Sequence, residues 1–559
     1  MKEKLRVGIL LDDYNTPAWA YRMLEKIVNS NYATINLIIV NNNSKTEPNK
    51  TLISKIKNNK GRIAYLLTRN ILEFMYSKLI ERGVYLPNAS GILNCEELFE
   101  NIPTMKVKTH RKVWSDFFQE ADVLRIKKHN LDVLIRCGFG ILRGDVLGSS
   151  KYGIWSFHHG DNRINRGGPA GYWESMESWP ETGSILQILS EDLDNGKVLY
   201  KSFSCTNKMS VNDNKSNYYW KSLSFMTRMM EYLYINGEDK FLERLEHDNR
   251  HPEFYSERLY TSPNNYELAK LTLKKIVEKI NILHFNKFFF EQWILMYHIK
   301  NDFSSSLWRY KKLIPPKDRF WADPHVIFKD DKYYIFIEEY IYQTNVGHIS
   351  LITMDGKGNF TEPEIVLERP YHLSYPFVFE CQDEYYMIPE SSANRTIELY
   401  KSKSFPYTWE FEMNLMEGVN AVDATVFYHN RKWWMFTNII ENEGASSWDE
   451  LFLFSSDALH SDKWQPHPQN PVVSDCKSSR PAGKVFCKNG AIYRPSQNCS
   501  VRYGYGFNIS EITSLDEKSY REVLVSSVKP NWDKKIVGTH TFNRTNALHM
   551  IDASYVRRK

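Results

Sequence analysis

The chain has 559 residues, past the ~250–300 at which a single hydrophobic core stops growing, so at least two domains are required. Its 72 basic and 67 acidic side chains leave a net charge of +5 scattered along the sequence, which offers no basic block for nucleic acid. The opening MKEKLRVGILLDD is charged at once and its apolar run is short, so neither a secretory leader nor a transmembrane segment is expected, and the chain reads as cytoplasmic.

The first half alternates two kinds of segment. Short apolar runs occur at 6–11 (RVGILL), 35–41 (INLIIVN), 131–140 (LDVLIRCGFG) and 154–157. Helical patterns stand beside them at 18–28 (AWAYRMLEKIV) and at 215–234, where Tyr218, Leu223, Met226 and Met230 recur at helical spacing. Continuous apolar runs separated by helices predict buried parallel strands in an α/β sheet. Sites in such sheets lie at the carboxyl ends of strands, where His158 and His159 would emerge from the fourth run. Behind them come a Gly-rich basic loop, Arg166-Gly167-Gly168-Pro169, and an Asp194 in a Leu-Asp-Asn-Gly turn.

The run LDVLIRCGFGILRGDVLGSSKYGIWSFHH, the RGGP loop and TGSILQILSEDLDNG resemble the folate-dependent formyltransferases over roughly residues 1–240. The resemblance implies a Rossmann-like formyltransferase domain with His158 and Asp194 as catalytic histidine and aspartate. It places Arg166-Gly167 and Thr182-Gly183 on matching loop positions, and Ser156 where the family has a catalytic Asn. His159, Asp161, Arg166 and Gly167 are expected to contact substrate, and Gly160-Asp161-Asn162-Arg163 is charged where folate-binding members are apolar. The implied reaction moves a formyl group from 10-formyltetrahydrofolate to an amine of a sugar, nucleotide sugar or glycan. Attack on a carbonyl generates an oxyanion that pre-aimed donors stabilise, while a His–Asp pair handles the amine's proton.

Residues 241–289 read as a partly helical linker, with Pro252 and Ser262-Pro263 marking turns and a helix expected at 267–280. From 290 to 559 a unit of about 50 residues recurs: WADPHVIFKDDKYYIFIEE, SYPFVFECQDEYYMIPES, AVDATVFYHNRKWWMFTN and RPAGKVFCKNGAIYRPSQ. The period predicts a β-propeller. Five blades are favoured over four, the fifth closed by pairing EQWILMYHI at 291–299 with the C-terminal GTHTFNRTNALHMIDA. The 34 Tyr, 30 Phe and 15 Trp suit sheets and also sugar stacking.

Residues that open propeller blades converge on one funnel, here Asp323, Tyr375, Asp423 and Arg480, with Glu338, Glu339 and Glu390 one strand later. Carboxylates and an Arg in an aromatic channel suit carbohydrate recognition or glycosidic chemistry. WADPHVIF, PYHLSYPFVFE, IPESSANRTIELY, AVDATVF and GTHTFNR resemble the N-terminal domain of plant glucosamine inositolphosphorylceramide transferases, itself similar to five-bladed arabinanase-type glycosidases. That resemblance implies Asp323 as a general base and Asp423 as the group that tunes it. It opens a second expectation: a propeller-centred glycosidase-like, transglycosylating or glycan-binding protein of surface polysaccharide or glycolipid assembly, with a degenerate first half. Seven cysteines without a Cys-x-x-Cys pair give no structural zinc pattern, and no metal is expected.

Overall fold

The computed structural model describes residues 2–43, 87–112, 114–301 and 306–559. They form two compact units, one drawn mainly from Met1–Ser202 and Thr206–Val277, the other mainly from Glu278–Glu441 and Ser446–Lys559. Among the described residues no helix is long and apolar enough to cross a membrane.

The first unit is built on one seven-stranded sheet. Its strands are β1 (Leu5–Leu11), β2 (Ala33–Asn41), β3 (Thr104–Val107), β4 (Val133–Arg136), β5 (Ile154–His158), β6 (Glu181–Ile188) and β7 (Lys197–Cys205), in spatial order β7-β6-β5-β4-β1-β2-β3. The five strands from β1 to β5 pair in parallel, and β6 runs antiparallel to β5. Successive side chains of a strand point to opposite faces, so both faces need cover. Val7, Ile9, Leu11, Val133 and Ile135 pack with α1 (Ala18–Val28) on one core, whereas Leu10, Leu37, Ile39 and Leu134 pack with α2 (Glu120–Lys127) on another. Burial on both faces is why these strands read as continuous apolar runs.

Two further helices of this unit are α3 (Tyr172–Glu177) and α4 (Val211–Asn236). The latter begins four residues before the expected position because Ser210 caps it, its hydroxyl accepting the Asp213 amide at 3.0 Å. Tyr218, Leu223, Met226 and Met230 are all buried on it. The 241–289 segment is mostly helical, through most of α5 (Glu238–Asp248) and the whole of α6 (Asn265–Phe288). A reciprocal capping box starts α6: Asn264 Oδ1 accepts the Glu267 amide at 2.9 Å, and Glu267 Oε2 accepts the Asn264 amide at 3.0 Å. The helix continues eight residues past its expected end, and the division between the units falls inside it.

The second unit consists of five antiparallel sheets that fit a propeller. Blades one to four begin with the strands Arg319–Lys329, Ser374–Cys381, Ala421–His429 and Phe486–Lys488. The fifth is closed by Phe289–Ile299 pairing antiparallel along its whole length with Leu548–Arg558. In blades one to four the first two strands join through residues with positive φ at both central positions: Asp330-Asp331, Gln382-Asp383, Asn430-Arg431 and Asn489-Gly490. That is the type I′ geometry that matches strand twist, and it explains the Asp, Asn and Gly that punctuate each repeat.

Candidate functional site

At the carboxyl end of β5, His158 is 7% exposed. Its Nε2 lies 2.7 Å from the Asn165 carbonyl oxygen and its Nδ1 3.4 Å from Asp194 Oδ1. Both neighbours are acceptors at those atoms, so a ring that satisfies both carries N–H on each nitrogen. Asp194 occupies a left-handed turn with φ 51°, and its other oxygen accepts the Gly167 amide at 3.0 Å. Gly167 itself has φ 104°, and a Cβ there would lie 2.3 Å from the Tyr260 carbonyl oxygen, so only glycine brings the loop this close. His158, Asp194 and Gly167 thus form one connected group.

The other residues expected here have different surroundings. Arg166 donates to the Asn162 carbonyl at 2.8 Å and to Asn195 Oδ1 at 2.9 Å, with its guanidinium 4.7 Å over Tyr255. Burial opposes ionisation of Asp161, but hydrogen bonds from Arg163 and the Lys201 ammonium at 3.2 Å outweigh it and hold its pKa below the usual carboxylate value. His159, expected to contact substrate, has a different setting. Its ring is packed among Trp19, Phe157, Tyr218 and Tyr219, and burial keeps its pKa well below the ordinary value.

Ser156 is buried and its hydroxyl accepts from Arg136 at 3.1 Å. Arg136 also donates to the Phe139 and Gly140 carbonyls, which fixes a cation beside the position where the family resemblance places an amide. The available signal was a lone Arg ending an apolar strand. A second group missed from sequence is Glu174 on α3, hydrogen-bonded at 2.9 Å to Asn165, with burial pushing its pKa up to about 7.

In the propeller, Asp323, Tyr375 and Asp423 have φ of 51°, 40° and 53°. Each lies where the pairing of the first two strands shifts register, so a bulge turns these side chains inward. Arg480 donates to Asp423 at 2.6 Å and 3.1 Å and reaches Glu390 at 3.3 Å, while Gln497 donates to Asp423 at 2.9 Å. Asp323 accepts the Thr541 hydroxyl at 2.6 Å and lies 3.4 Å from His540 Nε2; His540 Nδ1 is 2.8 Å from Asp552. Glu338 lies 3.4 Å from His372 and feels the charges of Asp323, Glu390, Asp423 and Asp552.

The electrostatics follow from this crowding. Burial first, and neighbouring carboxylates second, raise Asp323 to about 6, with His540 opposing. Burial likewise raises Asp423 to about 7, partly offset by Arg480. Glu338 is pushed well above the ordinary carboxylate value by burial and by four acidic neighbours. Tyr375 is completely buried, and its hydroxyl is held by Thr425 at 2.9 Å and the Gly483 amide at 2.8 Å, so its role is to fix the opening of its blade.

Glu339 does not belong to this cluster. Adjacent residues of a strand face opposite ways, and Glu339 is held by Arg319, Trp321, His348 and Ser350. Those donors outweigh its burial and lower its pKa to about 2, an anchoring role.

His540 and Asp552 were missed as members of the funnel, although GTHTFNR stands where the fifth blade opens. Among the described residues, Asp323, His540 and Asp552 are the group with one nitrogen and two oxygens close enough, within 4.8 Å of one another, to hold a cation. The imidazole already lies between the two carboxylates, so its single positive charge is shared between them. A half-buried aromatic wall borders them: Trp293 is 4.2 Å from His540, Tyr503 is 5.3 Å from it and 5.4 Å from Trp448, and Arg480 lies 5.2 Å over Tyr503.

Residues 313–557 match a family model described as glucosamine inositolphosphorylceramide transferase 1, N-terminal. Curated relatives with the name glucosamine inositolphosphorylceramide transferase 1 include two from rice and one from Arabidopsis thaliana. The one from Oryza sativa subsp. japonica is 31% identical over 37% of this chain and 28% of its own; that from Arabidopsis thaliana is 34% identical over 37% and 27%. The chain therefore spans little more than a quarter of these relatives. Solved structures with a likeness include the Bacteroides ovatus xyloglucan PUL GH43B, with TM-score 0.32 and 13% identity over 46% of this chain and 58% of that one. An exo-1,5-α-L-arabinanase from a bovine ruminal metagenomic library gives TM-score 0.30 and 15% identity over 43% and 94%. Over 313–557, then, the chain is similar to the N-terminal part of the glucosamine inositolphosphorylceramide transferases.

Proposed function

We propose that the propeller funnel is the carbohydrate-handling centre, binding a glycan or glycolipid and supporting hydrolysis or transfer at a glycosidic bond in polysaccharide or glycolipid assembly. The observation that carries this is the placement of Asp323 and Asp423, buried with raised pKa values of about 6 and 7, beside the half-buried Trp293, Trp448 and Tyr503. Aromatic faces stack on sugar rings, and two carboxyl groups of opposite protonation are what glycosidic cleavage uses. Asp323, ionised above about pH 6, serves as the base, and Asp423 sets its field under the clasp of Arg480. Glu338, kept protonated by burial, is the acid. The similarity to transferases named for an inositolphosphorylceramide supports a glycolipid as the substrate class. Incubating the purified chain with an oligosaccharide and glycolipid panel tests it: release or transfer of sugar that disappears in Asp323→Asn is expected, and turnover indifferent to that change counts against it.

A second reading is favoured by one observation, the His158–Asp194 contact at 3.4 Å. On it the first unit moves a formyl group from 10-formyltetrahydrofolate to an amine of a sugar or nucleotide sugar. His158, held by Asp194 at Nδ1, donates from Nε2 to the substrate's carbonyl oxygen in place of the Asn165 carbonyl as charge develops, and Arg136, with Ser156, supplies the cationic donor that an amide gives elsewhere. A formamide product from an amino-sugar nucleotide, lost in His158→Ala, is the expected result; its absence with folded protein defeats this reading.

A further inference from the structure

At its funnel end, away from the Asp330-Asp331 hairpin, blade one carries three aromatic rings outside the carboxylate cluster. Phe320 and Tyr340 are cross-strand partners and stack with centroids 4.9 Å apart and planes 7° apart. Tyr342 stands across both at 6.2 Å, tilted by 56° to the first and 62° to the second, so the three rings form a corner. Phe320 and Tyr340 are half-buried and Tyr342 is exposed.

Strand alternation fixes where this corner points. Glu338 and Tyr340 are two residues apart on one strand, so they share a face at a spacing of about 7 Å, while Glu339 between them takes the other. Phe320 pairs with Tyr340 as Ala322 pairs with Glu338, which puts Phe320 on the funnel face too. His372, in the segment entering blade two, joins the corner to the carboxyl: it lies 3.4 Å from Glu338, and its ring is 5.9 Å from that of Tyr340. Burial lowers the His372 pKa, with Asp323 opposing, so the ring is neutral. Its Nδ1 accepts the Gly347 amide at 2.9 Å, which leaves the proton on Nε2, the nitrogen beside Glu338. A Cβ on Gly347 would lie 2.6 Å from this imidazole, so the glycine is what lets the ring sit against the strand.

On the reading of the funnel as a carbohydrate centre, we propose that Phe320, Tyr340 and Tyr342 form a separate sugar-binding subsite beside Glu338, so that the funnel takes a chain of sugars rather than a single one. A sugar ring packs its C–H face on aromatic carbon and turns its hydroxyls to the edge. The edge here is polar: the Tyr340 hydroxyl donates to Asn345 Oδ1 at 2.6 Å, and the His372 imidazole closes the side toward Glu338. An acyl chain would set methylenes against these groups, whereas a sugar matches both the rings and their polar rim. The wall of Trp293, Trp448 and Tyr503 belongs to blades three to five, so aromatic surface borders the funnel on blade one as well. A monosaccharide covers one of these surfaces; an oligosaccharide reaches both.

Isothermal titration of the full chain with glucose, cellobiose and cellotetraose, and with the xylose and arabinose series of the same lengths, tests the proposal. Affinity is expected to rise with length in at least one series. Tyr342→Ala and Phe320→Ala should each weaken the tetrasaccharide about tenfold and the monosaccharide less than about twofold, while Tyr342→Phe, which keeps the ring, binds as the wild type does. Tyr342 is exposed, so its variants are expected to fold, and melting temperatures check all three. Tetrasaccharide binding that neither alanine variant alters, equal losses for monosaccharide and tetrasaccharide, or no saturable binding by the wild type in any series overturns the proposal. Co-sedimentation with phosphatidylinositol vesicles that Tyr342→Ala abolishes, with oligosaccharide binding intact, gives the corner to a lipid and overturns it as well. Turnover is read separately. Length-dependent binding set by these rings in a chain without turnover upholds the subsite and defeats the reaction; turnover lost in Asp323→Asn, with tetrasaccharide binding indifferent to both rings, defeats the subsite alone.

Discussion

The guanidinium of Arg480 clasps Asp423 through two hydrogen bonds, 2.6 Å from Nε and 3.1 Å from Nη2, across the opening of two adjacent blades. It is the cation that offsets Asp423 and Glu390 in the funnel. Removing one partner of a buried pair strands the other charge. Arg480→Met is therefore expected to lower stability by about 3–5 kcal/mol in urea titration. A variant as stable as the parent would mean that Asp423 is neutral without help.

The funnel carboxyls also set a pH dependence. Asp323 and Asp423 titrate at about 6 and about 7 when folded, against 3.8 for an ordinary Asp, so the folded chain binds more protons than the unfolded chain between these values. Stability contributed by these groups falls as pH rises from about 4 to about 7. Melting curves across that window should show the decline, and Asp423→Asn should flatten it. An unchanged slope in the variant contradicts the assignment.

Glu339 gives the opposite sign. Its pKa of about 2 lies below the ordinary 4.5, so its contribution is present above pH 4.5 and is lost as the solution is acidified toward 2. Glu339→Gln should cost about 1.5–3 kcal/mol at neutral pH through its charge-assisted hydrogen bonds. Carbohydrate binding should be unaffected, because the residue faces away from the funnel. A selective loss of binding with stability intact would return Glu339 to the site.

In the first unit, Glu174 has a pKa of about 7 when folded, from burial beside Asn165. Stability should rise on acidification from pH 7 toward 4.5, by roughly 3 kcal/mol at most, and Glu174→Gln should abolish that rise in denaturant titrations.

The parts legible in the sequence were those written in period and punctuation. The continuous runs of β1, β2 and β4, the repeated Asp, Asn and Gly turns, and the closing pair Phe289–Ile299 with Leu548–Arg558 follow from burial on two faces, twist-matched hairpins and ring closure. The meeting of His158 with Asp194, and the position of Asp323 and Asp423 at blade openings, were readable from order and repeat. His540 and the Trp293–Trp448–Tyr503 wall were not, since each joins its site through a contact between residues far apart in sequence, and Arg136 and Glu174 were not, since a lone Arg in an apolar strand and a Glu in a short helix carry no pattern that marks their burial. Glu339 departs from its expected place for a related reason: it directly follows Glu338 in sequence, yet it is anchored on the far side of its strand.

The funnel is proposed to act on carbohydrate through Asp323. The most direct measurement is sugar release or transfer from a panel of oligosaccharides and glycolipids by the wild-type chain and by Asp323→Asn, with folding of both checked by melting. Turnover by the wild type is expected to fall at least about a hundredfold in Asp323→Asn while His158→Ala leaves it intact. Equal turnover in wild type and Asp323→Asn, or turnover that His158→Ala abolishes, would contradict it.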